Sequence, residues 1–123
     1  MTNGRKGYHP TMTILVAVTD DPQGSAALDV ALAEGERRRT DVVALNLRPG
    51  RLDAPGGATV VDRLLGVEDG DAVLEHLESD ADVDLLVVGV GRRTPVGKAL
   101  LGDLAQRLLL EADVPVLAVK APA

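Results

Sequence analysis

The sequence predicts one α/β domain with a five-stranded parallel sheet and helices on both faces. Two observations carry this prediction. Short runs of apolar, often β-branched residues are continuous rather than alternating, which is typical of strands covered on both faces. These runs alternate with segments of helical periodicity, and 123 residues suit a single domain. Right-handed crossovers then favour a doubly wound, Rossmann-like sheet with strand order 3-2-1-4-5.

The first half of the domain begins with the strand Thr13–Val18, which reads TILVAV. Asp21 and Pro22 follow, and they are typical of a helix N-cap and of the first helical position. This first helix carries an alanine-rich apolar face and is expected to end in the polar run Glu34–Thr40. The apolar run Asp41–Leu47 predicts the second strand.

The middle of the chain is less regular. Residues Arg48–Gly57 contain two prolines and three glycines, so we expect a loop there. The segment Ala58–Leu65 predicts a third strand, which its central Asp and Arg place at an edge of the sheet. Apolar residues spaced three and four apart predict a helix over Asp69–Ser79.

The last part of the chain predicts two strands and the clearest amphipathic helix. The strands are Asp84–Val88 and Val114–Val119. The helix between them has apolar residues at positions i, i+3, i+4, i+7 and i+8. These residues are Leu101, Leu104, Ala105, Leu108 and Leu109.

Charge and composition exclude several classes of function. Thirteen basic residues against nineteen acidic ones give a net charge of −6, which disfavours nucleic acid and anionic membrane partners. The absence of cysteine excludes thiolate metal sites and fits a cytoplasmic protein. Residues 1–12 show no apolar periodicity and predict a disordered tail, which leaves 13–123 as the domain.

Topology predicts where a ligand would bind. In a doubly wound sheet the first and fourth strands open a crevice at their carboxyl ends, here at Thr19–Asp21 and Gly89–Gly102. The second of these segments has four glycines, three basic residues and no acid. It could form a phosphate cradle, or it could be a strand-to-helix loop with solvated cations. Its spacing matches neither a P-loop nor a dinucleotide fingerprint.

Several of these segments together resemble the universal stress protein family. They are TILVAV, DLLVVG, the glycines at 89 and 102, and LLG-x-LAQRLLLEADVPVLAVK. The resemblance covers Thr13–Leu47 and Asp84–Lys120. It implies the same sheet, of the adenine nucleotide alpha hydrolase-like kind. It also implies that the loop Arg48–Gly57 replaces a helix that members usually carry after the second strand.

The resemblance also implies a nucleotide crevice, from which this chain departs. Members that bind ATP carry an Asp after the first strand and a glycine motif that ends in Gly followed by Ser or Thr. Here those positions hold Thr19, Arg92 in place of the middle glycine, and Asp103 in place of the hydroxyl. The candidate crevice residues are Val18, Thr19, Asp20, Leu47, Gly89, Gly91, Arg92, Gly102, Asp103 and Leu104.

Asp103 is the departure with the clearest physical consequence. Its carboxylate is expected to cap the last helix itself and to repel a phosphate there. An i,i+4 pair with Arg107 could instead draw the carboxylate outward. With a degraded site, the protein is expected to be a non-enzymatic stress-response regulator that has no cofactor and an unknown protein partner.

The alternative is an ATP- or ADP-binding protein with at most weak ATPase activity. A carrier or enzyme for another small molecule in the same crevice is a third hypothesis. No residue pattern indicates a catalytic group or a metal site. Since members commonly pair through the fifth strand, the resemblance further implies a homodimer with Val114, Val116 and Ala118 at its interface.

Overall fold

The computed structural model describes residues 12–53, 56–93 and 99–121. The predicted tail, apart from Met12, lies outside the described residues. Seven strands and three helices are described in the order β1 (Thr13–Val18), α1 (Pro22–Arg38), β2 (Asp41–Asn46), β3 (Thr59–Asp62), α2 (Asp69–Ser79), β4 (Val83–Val90), β5 (Arg92–Arg93), β6 (Ala99–Leu100), α3 (Asp103–Glu111) and β7 (Val116–Lys120).

Five strands form one parallel sheet in the order β3-β2-β1-β4-β7. This confirms the predicted order 3-2-1-4-5, because β7 is the fifth predicted strand. Strands β5 and β6 pair with each other in a separate antiparallel hairpin. Within the described chain, β3 and β7 are the edges of the main sheet, as the acidic and basic residues near β3 predict.

Strand β1 lies at the centre of the sheet and is buried along its whole length. Ile14 and Val16 pack in the layer that contains α1, whereas Leu15 and Ala17 pack in the layer that contains α2 and α3. Because both faces of the strand are covered, every position must be compatible with the core. The continuous apolar run in the sequence is the consequence.

The first layer consists of α1 and the loop that follows β2. Helix α1 packs on β1, β4 and β7. The described residues between β2 and β3 contain no helix, and Leu52 from this loop is buried with the α1 layer. A loop therefore provides cover where the resemblance implies that members usually have a helix.

The second layer consists of α2 and α3. Helix α3 begins at Asp103, with Gly102 as its N-cap. Leu101 therefore precedes the helix and does not share its period, and Leu109 remains 43% exposed. The predicted apolar stripe is wrong at these two positions, while Ala105 and Leu108 are buried. Within the described ranges, no helix combines the length and hydropathy that a membrane span requires.

Candidate ligand-binding crevice

The crevice lies where β1 and β4 end side by side. These strands are parallel neighbours, with Val16 paired to Val87 and Ala17 paired to Val88. Beyond its end, β1 leads into α1, whereas β4 leads into the β5–β6 hairpin and α3. The chain thus diverges to opposite faces of the sheet at this point, which is where open α/β sheets bind ligands.

The first end of the crevice is a cleft of about 360 Å³ between the start of α1 and the loop after β2. We call it the β1 cleft. It brings together three of the predicted residues with residues that the sequence did not indicate. Its walls include Val18, Thr19, Asp20, Leu28, Arg48 and Leu52.

A tight turn connects β1 to α1 beside this cleft. The Asp21 Oδ1 atom accepts hydrogen bonds from the Thr19 hydroxyl and from the backbone N–H of Gly24, each at 2.7 Å. A Cβ atom on Gly24 would lie 2.0 Å from the Thr19 carbonyl oxygen. Asp21 is therefore the helix N-cap, as predicted. The Thr19 hydroxyl is engaged inside the turn, and Asp20 is the next residue that lines the cleft.

An ion pair joins the two sides of the β1 cleft. The Arg48 Nε and Asp20 Oδ1 atoms are 3.5 Å apart, and the two side chains are 36% and 61% exposed. Asp21 and Asp29 also line the cleft. Its described lining therefore carries three carboxylates and one guanidinium. In the described part of the chain, no group of three or more His, Cys, Asp or Glu residues could hold a metal ion.

Asn46 holds the start of the loop that carries Arg48. The residue is 3% exposed. Its amide donates to the Gly50 carbonyl oxygen at 2.7 Å and to Asp62 Oδ1 at 3.0 Å, and its oxygen accepts from the Arg48 backbone N–H at 3.0 Å. Sequence reasoning missed this residue. The available signal was a single amide inside the apolar run DVVALNL, since a buried polar side chain needs hydrogen-bond partners.

The second end of the crevice is formed by the end of β4 and the chain that follows it. It begins at Gly89, which is tightly packed. A Cβ atom there would lie 2.3 Å from the backbone oxygen of Gln23. The Gln23 side chain also donates a hydrogen bond of 2.8 Å to the carbonyl oxygen of Gly91, a residue with φ of 47°. Gly89 thus permits close contact between β4 and the start of α1. Gln23, another residue that sequence reasoning missed, fixes the backbone just beyond.

The far side of the second end has no described packing partner at Gly102. The backbone of Arg92 pairs with Leu100 in the hairpin, while its side chain and residues 94–98 lie outside the described part of the structure. Gly102 is exposed, and no described atom lies within 4 Å of the position that its Cβ would occupy. Among the described residues, no side-chain hydrogen bond caps α3.

Asp103 does not behave as predicted. It is the first residue of α3 and makes no cap hydrogen bond, because a capping side chain must come from the preceding N-cap position. The alternative, an ion pair between Asp103 and Arg107, does not form either. Arg107 instead bonds Asp71 at 2.6 Å and Glu111 at 3.3 Å. The hydrogen bond that the Arg107 guanidinium donates to Asp71 links α3 to α2 and raises the pKa of Arg107.

Known proteins share both the sequence and the fold of this chain. The model of the universal stress protein family matches residues 50–120. A curated universal stress protein from Mycolicibacterium smegmatis is 36% identical over 126 residues, which cover 87% of this chain and 96% of the relative. The chain belongs to the universal stress protein family. The resemblance stated from the sequence is confirmed.

Solved structures agree with this membership. A universal stress protein from Archaeoglobus fulgidus has a TM-score of 0.67 and 26% identity, and the match covers 89% of this chain and 98% of that one. A universal stress protein from the same organism, solved in complex with dAMP, has a TM-score of 0.62 and 22% identity over 91% and 100% of the two chains. The predicted fold class is confirmed.

The remaining predicted residues of this universal stress protein lie away from the β1 cleft. Leu47 and Leu104 pack in the layer between the sheet and helices α2 and α3. The predicted interface residues lie on or beside the edge strand β7. Val114 and Val116 are half-buried and Ala118 is exposed.

Proposed function

We propose that this protein is a non-enzymatic regulatory universal stress protein whose nucleotide site has lost its phosphate-holding half. The observation that carries this proposal is Asp103 in the first turn of α3. A helix N-terminus ordinarily attracts phosphate through its dipole and unpaired N–H groups. A carboxylate about 4 Å from a phosphate charge opposes that attraction by about 1–4 kcal/mol, depending on screening.

The surroundings of Asp103 support this reading. Arg107, the neighbouring cation on α3, is engaged by Asp71 and Glu111, so its charge is already compensated. In this function the protein acts in the cytoplasm through contacts with an unidentified protein partner. It requires no cofactor.

The substitution Asp103→Ser tests the charge argument. Removing the carboxylate is expected to strengthen binding of ATP or inorganic polyphosphate about tenfold. Isothermal titration on the full chain measures this gain, and Asp113→Ser, an exposed Asp beyond the end of α3, is the matched control. If the affinity of Asp103→Ser equals that of the parent protein, the carboxylate is not what blocks the site.

The same proposal includes a homodimer formed through β7. This strand pairs with β4 on one side, and an unpaired edge with partly exposed apolar side chains is suited to a second copy. Sedimentation velocity at micromolar concentration is expected to show a dimer. Ala118→Asp should give monomers, whereas Ala33→Asp, on the exposed side of α1, should not. A parent protein that is monomeric at this concentration rules out this part of the proposal.

A second candidate function is the binding of ATP or ADP, with at most weak ATPase activity. Two observations favour it. The first is the β1 cleft with Val18, Thr19 and Asp20, and the second is that no described atom lies within 4 Å of the Gly102 Cβ position. A family structure also contains dAMP. Denaturing freshly purified protein and analysing the released nucleotide decides between the candidates. Near-stoichiometric ATP supports the second, and nucleotide-free protein supports the first.

A further inference from the structure

The free edge of the sheet at β3 combines the features of a peptide-binding surface. We propose that β3 binds an extended segment of a partner protein as a sixth strand, and that this segment carries lysine or arginine beside aliphatic residues. The inference rests on the proposed function for the existence of a protein partner. It does not involve the crevice at the ends of β1 and β4.

The backbone of β3 presents hydrogen-bonding groups on its outer side. Strand β3 runs parallel to β2, with Asp62 opposite Asn46, and the Arg63 N–H donates to the Asn46 carbonyl oxygen at 3.3 Å. Alternate residues of a strand direct their N–H and C=O groups to opposite sides, so those of Val60 and Asp62 point away from β2. Because β3 is the last strand of the sheet on this side, these groups have no partner strand in the described chain. An added strand would supply one.

A groove of about 450 Å³ lies beside this edge. We call it the β3 groove. One wall is the loop after β2 and the other is β3, and the lining residues are Arg51, Leu52, Asp53, Val60 and Asp62. Leu52 and Val60 belong to the apolar layer that contains α1. Every second side chain of an added strand would lie on this face of the sheet and enter the groove.

The charges of the β3 groove favour a cation. The Arg51 Nε and Asp53 Oδ1 atoms are 3.0 Å apart, so these two charges compensate each other. Asp62 is exposed and accepts a hydrogen bond from the Asn46 amide at 3.0 Å, but it forms no ion pair with any cation in the described ranges. Its charge is available to a lysine or arginine. The net charge of −6 also repels an acidic segment.

Two leucines directly after β3 add apolar surface. Leu64 is 75% exposed and Leu65 is fully exposed. Sheet edges that avoid other chains are short and carry charged residues, as this edge does with Asp62 and Arg63. Exposed leucines next to such an edge have the opposite effect, because they reward contact with another chain. The charges therefore select among partners, and the leucines contribute to binding.

Fluorescence anisotropy with labelled peptides and the full chain tests the inference. The probe is Thr-Lys-Thr-Val-Thr-Lys-Thr, which places lysine, valine and lysine on one face of a strand, and the control is Thr-Glu-Thr-Val-Thr-Glu-Thr. The lysine peptide is expected to bind at least about tenfold more tightly.

Methylation of backbone nitrogen atoms tests whether the peptide binds as a strand. One probe is methylated at its four threonines and another at the remaining three residues. Only one of these two sets of N–H groups faces β3 in an added strand. One methylated peptide should therefore lose binding while the other keeps it.

Variants locate the binding surface. Val60→Pro removes an N–H that points away from β2, so the pairing with β2 is retained, and binding of the lysine peptide should fall about tenfold. Asp62→Asn keeps an oxygen that can accept from Asn46 and should remove most of the preference for lysine over glutamate. Asp41→Asn, which changes an exposed Asp at the start of β2, is the matched control and should bind like the parent. If Val60→Pro does not fold, Asp62→Asn and the methylated peptides still test the inference.

The outcomes separate this inference from the proposed function. If the lysine peptide does not bind, or binds no better than the glutamate peptide, the inference is overturned while a nucleotide-free regulator stands. The inference alone is also overturned if both methylated peptides bind alike, if no β3 variant weakens binding, or if Asp41→Asn weakens it as much as Asp62→Asn. Near-stoichiometric ATP released from freshly purified protein overturns the proposed function and leaves the peptide result unchanged.

Discussion

Gly89 and Gly102 bound the same glycine-rich segment, yet the structure uses them in opposite ways. The Cβ position of Gly89 is occupied by the backbone of Gln23, with a separation of 2.3 Å from its oxygen. The Cβ position of Gly102 has no described atom within 4 Å. One end of the segment is therefore a packing contact, whereas no described atom packs against the other. The comparison shows that a glycine in a motif acquires its role from what surrounds it.

The largest loss of stability is expected for Gly89→Ala. The added methyl group would collide with backbone rather than with a flexible side chain, so β4 or the start of α1 must shift. Overpacking of this kind costs about 3 kcal/mol of unfolding free energy. Urea denaturation measures the loss, and a variant as stable as the parent would show that Gly89 is not closely packed.

A smaller loss is expected for Asp21→Ala, which removes the N-cap of α1 and the acceptor of the Thr19 hydroxyl. The expected cost is about 1 kcal/mol. This variant tests the packed end of the segment indirectly, because the cap holds the first turn of α1, which packs on Gly89. Asp21→Ser keeps a capping oxygen and should recover most of the stability in the same denaturation experiment. Equal losses for both variants would contradict the capping role.

Gln23→Ala tests how much the Gln23 side chain stabilises the backbone just beyond Gly89. It removes the hydrogen bond to the Gly91 carbonyl oxygen, for a loss of about 0.5–1.5 kcal/mol. Gln106→Ala, at an exposed position of α3, is the matched control and should change stability little. If the two variants melt at the same temperature, the contact between Gln23 and Gly91 contributes nothing measurable.

The smallest effect, of opposite sign, is expected for Gly102→Ser. The position has extended backbone (φ −66°, ψ 161°) and no side-chain cap, and a serine there can accept a hydrogen bond from the first turn of α3. The free energy of unfolding is expected to rise by about 0.3 kcal/mol, because Gly is itself a moderate N-cap. Calorimetry that shows a clear loss of stability would mean that the space at Gly102 is not open.

Much of the fold could be predicted from the sequence because its signals are local. Helix α2 has the predicted bounds Asp69–Ser79, and the apolar run of β1 indicated a strand covered on both faces. The start of α3 was misplaced because Leu101 has the helical spacing without being helical. At the site, Thr19 and Asp20 were predicted, but Gln23, Arg48 and Asn46 were not, since their roles depend on distant partners.

The sequence by itself determined the order of the five sheet strands and the three helices and most of their buried positions, because periodicity and capping act over a few neighbouring residues. Only the tertiary structure decided which groups the polar side chains bond. Gln23 bonds a residue 68 positions away, and Arg107 bonds Asp71, 36 positions away, rather than its own helical neighbour Asp103. A polar side chain bonds the group nearest to it in space, and that distance is set only when the layers have packed.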